Sequence, residues 1–178
     1  VQCGMCHDAC PTHMHAPEYI RAIWSDDIED AVRQIYRTNP FAHTCGRVCT
    51  HRCETACSIG KRGEPIAIRW LKRYAVDALS HDKIKDIVLG DVNPESSGFN
   101  IAVIGSGPAG LTTAFDLAKL GHKVTVYEGL DKPGGMPRYG IPYYRLPFDK
   151  LDDDINVIKA AGVKIKCNTW VGKDITLE

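Results

Sequence analysis

Residues 101–110 read Ile101-Ala102-Val103-Ile104-Gly105-Ser106-Gly107-Pro108-Ala109-Gly110, and they decide the fold of the second half of the chain. The first four form a short apolar run, as expected of a parallel strand buried on both faces. The glycine pattern follows at once, and then a helical run from Leu111 to Leu120 that Gly121 stops. Lys123-Val124-Thr125-Val126-Tyr127-Glu128 is the next strand, and it ends in an acid 23 residues after Gly105. Gly-x-Gly-x-x-Gly alone is weak, but between a strand and a helix, with an acid at that distance, it predicts a Rossmann-type dinucleotide site. Gly105 permits the tight turn, Gly107 lets the backbone approach a pyrophosphate, and Gly110 lets helix and strand pack closely. The helix start presents free N–H groups and positive dipole to a diphosphate. Glu128 is placed to accept hydrogen bonds from both ribose hydroxyls, and its charge argues against NADP at this site. A glycine turn with no ligand is the alternative.

Further along, Gly134-Gly135-Met136 precedes Gly140-Ile141-Pro142-Tyr143-Tyr144-Arg145-Leu146-Pro147. This is either a surface loop or a backbone that approaches a second flat group closely. Leu151, Ile155 and Ile158 share a helix face that Gly162 ends, and Val163 to Cys167 alternates as a strand. That alternation makes Cys167 a buried small hydrophobe.

The turn-rich segment Asp91 to Gly98 reads as a linker, giving a helical domain over 1–90, the linker over 91–98 and an α/β domain over 99–178. In the first part, Tyr19, Ile20, Ile23 and Trp24 share one helix face, and Ile28, Val32, Ile35 and Tyr36 another. Asp26 and Glu29 resemble a capping box, and Asn39-Pro40 ends that second helix. Pro65 opens a third helix with Ile68, Leu71, Ala75 and Leu79 on one face. Lys61, Arg62, Arg69, Lys72 and Arg73 make its surroundings basic. These cations are either a solvated face, or charges that raise the potential of a nearby anionic centre or dock an acidic partner.

Seven of the eight cysteines fall within residues 3–57: Cys3, Cys6, Cys10, Cys45, Cys49, Cys53 and Cys57. Iron–sulfur clusters explain them best. Cys3-x2-Cys6-x3-Cys10-Pro11 is the end of the bacterial ferredoxin run, whose last thiolate serves the other cluster, so a further cysteine just before Val1 is expected. Cys45, Cys49, Cys53 and Cys57 repeat every four residues, and in one continuous helix the outer sulfurs would lie ~18 Å apart. Either the chain turns at Gly46 and around Thr50-His51-Arg52, or these thiolates divide between two clusters. A zinc site is the second explanation, with His7, His13, His15, His43 and His51 interleaved; structural thiols are the third. An odd block with no signal peptide before it does not read as a disulfide framework.

Lys+Arg and Asp+Glu both total 22, which leaves no footprint for nucleic acid or a membrane surface. The uncharged stretch Ser96 to Phe115 is broken at Gly105-Ser106-Gly107-Pro108 and is no membrane span. The expected location is the cytoplasm.

The combination of Cys10-Pro11, Asn39-Pro40, Cys45-Gly46-Arg47-Val48-Cys49, Cys53-Glu54, Cys57, Pro65-Ile66-Ala67-Ile68-Arg69, the glycine loop, Gly134-Gly135-Met136 and Arg145-Leu146-Pro147 resembles one family. It is that of the glutamate synthase small subunit, the N-terminal part of dihydropyrimidine dehydrogenase and the large subunit of a bifurcating NADH-dependent ferredoxin:NADP oxidoreductase. The resemblance implies an all-helical domain with two [4Fe–4S] clusters, then a Rossmann-type FAD domain, here cut short before its NAD(P)H site, which a further segment or another polypeptide would supply. It implies Cys3, Cys6 and Cys57 at one cluster and Cys10, Cys49 and Cys53 at the other. Where relatives often offer a Gln or Glu ligand, this chain has Lys72, which leaves Cys45 as the candidate fourth ligand. Thr50 also replaces a usual proline. For FAD it implies Gly105, Ser106, Gly107, Pro108, Ala109 and Gly110 at the diphosphate, Glu128 on the ribose, Gly135, Met136 and Arg145 near the flavin or its phosphates, and Val171 at the adenine. The work implied is electron transfer to a redox partner, with no catalytic residue; a relay subunit without turnover of its own and a zinc-stabilised nucleotide module are the alternatives.

Overall fold

The computed structural model describes residues 3–90 and 94–176, so Asp91 to Asn93, the first residues of the expected linker, lie outside it. The chain forms two compact units that meet between Val88 and Leu89.

The first unit is helical: α1 (Met5–Asp8), α2 (Ala16–Trp24), α3 (Ile28–Tyr36), α4 (Ala42–Val48), α5 (Arg52–Thr55), a 3-10 turn (Ser58–Lys61), α6 (Ile68–Asp77) and α7 (His81–Leu89). Its core is Tyr19, Ala31, Val32, Ile35, Ala42, Ala75, Val76 and Ile84, each fully buried. Each large side chain among them contributes roughly 1.5–3 kcal/mol by leaving water. The Tyr19 hydroxyl donates to the Ile68 carbonyl at 3.0 Å and so locks α2 to α6.

Several local expectations shift once tertiary contacts are present. The α3 cap is Asp27, whose carboxylate accepts the Asp30 N–H at 2.9 Å, while Asp26 takes the preceding turn at φ +57°. Trp24, expected on the apolar face of α2, is 90% exposed, because Ala16, Tyr19 and Ala22 form the buried side. Gly46 makes no turn. It sits inside α4, where a Cβ would meet the Arg73 backbone at 3.2 Å, so it sets how closely α4 and α6 approach. The chain reverses around His51, as expected, where the backbone is left-handed at φ +45°, after an extended Cys49. The third helix starts at Ile68 rather than Pro65, because Glu54 on α5 accepts the Arg69 N–H at 2.8 Å and caps it from outside. Helix α7 has no counterpart among the sequence expectations, although Ser80 accepts the Lys83 N–H at 3.3 Å and Ile84 and Ile87 are buried.

The second unit places three parallel strands in the order β1 (Asn100–Ile104), β2 (Lys123–Tyr127), β3 (Lys164–Lys166). Between them run α8 (Pro108–Lys119), α9 (Met136–Tyr139) and α10 (Phe148–Ala160). Asn100 pairs with Lys123 and Ile104 with Tyr127, and β2 lies between its neighbours with Val124 and Val126 buried. Strand β1 is not buried on both faces: it lies at the edge of this sheet and alternates between exposed and half-buried, with Ile104 61% exposed. Cys167 is half-buried rather than buried, since β3 ends at Lys166. Leu111, Phe115, Leu146, Leu151, Ile155 and Ile158 fill the core against β2.

Candidate cluster and nucleotide sites

The helical unit gathers its thiols into two cavities. Cys6, Cys10, Cys45, Cys49 and Cys53 line the first, together with Tyr19, His51, Arg69 and Lys72. Cys3, Cys6 and Cys57 line the second, with Ser58 and apolar side chains. The turn at Cys49 to His51 achieves the division, since it brings Cys49 and Cys53 back toward α1 while Cys57 passes to the other side of Cys6.

Mutual electrostatics follows the same division. Burial, then Cys49, Glu54 and Cys10, push the Cys53 thiol up to about 11. Burial, and less strongly Cys3 and Cys57, raise Cys6. Burial raises Cys10, but hydrogen bonds from the Thr12 side chain and from the Met14 and Thr12 backbone, with a smaller contribution from the Lys72 charge, outweigh it and hold this thiol low. Cys3 is lowered by its hydrogen bond with Ser58 at 3.2 Å. No disulfide joins any of the eight cysteines.

Three features test whether these residues fit an anionic cluster. Lys72 is only 7% exposed, faces the first cavity and has no carboxylate partner among the described residues. Arg69 lines the same cavity with a buried Nε that lacks a hydrogen-bond partner, while its Nη1 donates to the Cys49 carbonyl at 3.2 Å. The His51 N–H donates to Cys49 Sγ at 3.3 Å. One buried ammonium, one buried guanidinium nitrogen and an amide aimed at sulfur suit a negatively charged thiolate centre. Among the described residues no three His, Cys, Asp or Glu donors converge on one point. The His7 ring lies 5.4 Å from those of His13 and His15 between centres, tilted against each, and His43 is buried beside Asp77 at 3.4 Å.

In the α/β unit the glycine loop leaves β1 and starts α8. Gly105 holds φ +91°, and a Cβ on Gly110 would overlap the Gly105 carbonyl oxygen, so helix and loop touch backbone to backbone. Gly107 opens onto free space, as a site for a diphosphate requires. Glu128 lies beyond the carboxyl end of β2 and is already engaged: it accepts from the Ser106 N–H at 2.9 Å, from the Ser106 hydroxyl, and from the Leu130 N–H at 2.9 Å. Burial raises this carboxyl, but those bonds prevail and hold it below its ordinary range. Ser106 is fully buried and its carbonyl accepts the Gly134 N–H at 3.0 Å. Gly135, at φ +57°, lies so close to Gly107 that a Cβ would sit 2.7 Å from the Gly107 Cα. The paired glycines thus approach the nucleotide loop itself.

Pro108 and Ala109 occupy the first turn of α8, beside the open Gly107. Met136 is 72% exposed and Arg145 is exposed, so neither side chain is drawn into the loop. Val171 follows Thr169, whose N–H donates to the Glu128 carbonyl at 2.8 Å, and so stands beside the end of β2. The buried arginine here is Arg138, paired with Asp152 and stacked 5.2 Å from Phe148. Neither Arg138 nor the Ser106–Glu128 tie is legible in the sequence, because each depends on a partner distant along the chain.

Comparison with known proteins gives these features a context. Residues 1–84 match the family described as dihydropyrimidine dehydrogenase domain II, 4Fe-4S cluster. Residues 103–145 match the NAD(P)-binding Rossmann-like domain. The chain is 40% identical to the NADP(+)-dependent formate dehydrogenase subunit beta of Moorella thermoacetica, over 97% of its own length and 27% of that protein's. It is 35% identical to the NAD-dependent dihydropyrimidine dehydrogenase subunit PreT of Escherichia coli O157:H7, over 99% and 44%. It is 33% identical to the glutamate synthase [NADPH] small chain of Mycobacterium tuberculosis, over 100% and 36%. The chain therefore spans between about a quarter and under half of these relatives. No helix among the described residues is long and apolar enough to cross a membrane. A 4Fe-4S domain followed by a Rossmann-like domain, matched over nearly the whole of this chain and under half of each relative, places the chain in the iron–sulfur oxidoreductase family of the glutamate synthase small chain and dihydropyrimidine dehydrogenase.

Proposed function

We propose that this chain is the electron-transfer part of an iron–sulfur flavoprotein, carrying two [4Fe–4S] clusters and an FAD. Cys10, Cys45, Cys49 and Cys53 hold one cluster, and Cys3, Cys6 and Cys57 hold the other with a fourth ligand from outside the described residues. The observation that carries this reading is the gathering of seven thiols around two cavities that share Cys6, one of them walled by the buried Lys72 and the half-buried Arg69. When bound, the flavin exchanges electron pairs and each cluster single electrons, so the two together link hydride chemistry to one-electron carriers.

The chain's own residues bind and orient. Gly107 and the first turn of α8 present N–H groups to the FAD diphosphate, and Ser106 holds the Glu128 carboxylate toward the ribose. Gly135 packs on Gly107 and fixes the loop's shape, with Met136, Arg145 and Val171 around the flavin and adenine. Nothing in this reading needs a general acid, base or nucleophile. The relatives are named as subunits or chains and carry NAD or NADP in their names, so NAD(P)H exchange at a further segment and a redox partner subunit complete the reading.

A second reading has NAD(H) rather than FAD on the glycine loop, and the description of the matched Rossmann-like family favours it. Anaerobic purification of the full protein and identification of the nucleotide released by acid separates the two. FAD in roughly one copy per chain is the expected result, and a nicotinamide nucleotide with no flavin overturns it.

A further inference from the structure

The five cations after Cys57 fall between residues 61 and 73 of the sequence, and the fold divides them. Lys61 and Arg62 are exposed. Arg73 pairs with Asp77 at 3.2 Å and stacks on Trp70. Lys72 instead lies on the buried face of α6 with Ile68, Ala75 and Val76, and enters the wall of the first thiol cavity. Keeping an ammonium there is costly unless an anion answers it. The second thiol cavity has no charged side chain in its wall.

We propose that Lys72 sets the reduction potential of the cluster held by Cys10, Cys45, Cys49 and Cys53, raising it above what the thiolates alone would give and acting on that cluster chiefly. The inference rests on the two-cluster reading above. One-electron reduction adds one negative charge to the thiolate site and no proton, the electron coming from the reductant used in the measurement. A buried ammonium without a carboxylate of its own favours the more negative state. Lysine offers three donors and no lone pair while charged, so it acts beside the ligands rather than as one of them. Arg69 in the same wall is tied to the Cys49 carbonyl and to Glu54 by its N–H, which leaves Lys72 as the charge that can be changed with least disturbance.

The test is an anaerobic redox titration of the full protein followed by electron paramagnetic resonance, with iron and labile sulfide counted in each sample. Wild type, Lys72→Met and Lys72→Arg are compared, and Cys57→Ser identifies the signal of the other cluster. Lys72→Met is expected to keep its iron and to lower the reduced-to-oxidised ratio of one cluster at least tenfold at a fixed potential, about 59 mV for a one-electron couple. Lys72→Arg is expected to stay within threefold of wild type. Loss of that cluster in Lys72→Met but not in Lys72→Arg also supports the charge. Unchanged potentials in Lys72→Met, equal shifts in both variants, loss of the cluster in both, or a shift confined to the signal that Cys57→Ser removes would each overturn the proposal. Wild-type protein without labile sulfide refutes the cluster reading first, and is read before any variant.

Discussion

The two units build their sites from opposite materials. In the helical unit the site consists of side chains: thiols from α1, α4, α5 and the segments beside them converge on cavities that Tyr19, Arg69 and Lys72 complete. In the α/β unit it consists of backbone: Gly105, Gly107, Gly110 and Gly135 leave out the atoms that would otherwise block approach. A side-chain site fails by removal, one cluster at a time as its ligand is cut away, whereas a backbone site fails when an atom is added. The contrast predicts how each unit responds to substitution.

The largest effects test the thiol division. Cys53→Ala and Cys57→Ala are each expected to lose about half the iron and labile sulfide, four of about eight per chain, and to leave the other half in place. Complete loss from either variant would mean that the thiols form one cooperative centre. Next comes Gly110→Ala, which adds a methyl where the Gly105 carbonyl stands. It should abolish bound nucleotide and destabilise the α/β unit by about 1–3 kcal/mol, with iron content unchanged. Nucleotide and iron assays on one sample read both arms.

Much of this was legible because it is positional. The glycine spacing, the acid at 128 and the strand–helix–strand alternation need no knowledge of distant residues, and the structure has them in those elements. What stayed hidden depends on tertiary partners. The start of α6 is set by Glu54 from another helix, and the role of Gly46 by Arg73 on α6. Strand β1 read as buried because its residues are apolar, but its place at the sheet edge leaves Ile104 exposed. Among the basic residues after Cys57, spacing alone does not tell which cation turns inward, since that is decided by the packing of α6 against α2 and α4; only the family resemblance singles out Lys72. Helix α7 could have been found from Ser80 followed by Ile84 and Ile87.

Smaller effects sharpen the comparison. Ser106→Ala removes the hydroxyl bond to Glu128 and should cost about 1.5–3 kcal/mol of stability in the α/β unit, read by chemical denaturation. Glu128→Gln in the same background should then cost little more, since the pair is coupled. Asp77 gives the smallest signal, in acid. Burial raises its carboxyl, but Arg47, at 2.8 and 2.9 Å, and Arg73 prevail and lower it. A depressed folded value means that its contribution is complete above the unfolded value of about 3.9 and fades as pH falls through the folded one. Partial exposure limits it to roughly 0.5–1 kcal/mol. Asp77→Asn should therefore flatten the acid limb of the helical unit's stability below about pH 4, and an unchanged limb would show that the arginine contacts are not formed in solution.

The central claim is that the N-terminal thiols bind inorganic iron and sulfide in two separate groups. Anaerobic purification of the full protein, with iron, acid-labile sulfide and zinc counted against protein, tests it most directly. About eight iron and eight sulfide per chain, with zinc absent, is the predicted result. Zinc without sulfide, or iron and sulfide at half that number with all seven cysteines intact, would contradict it.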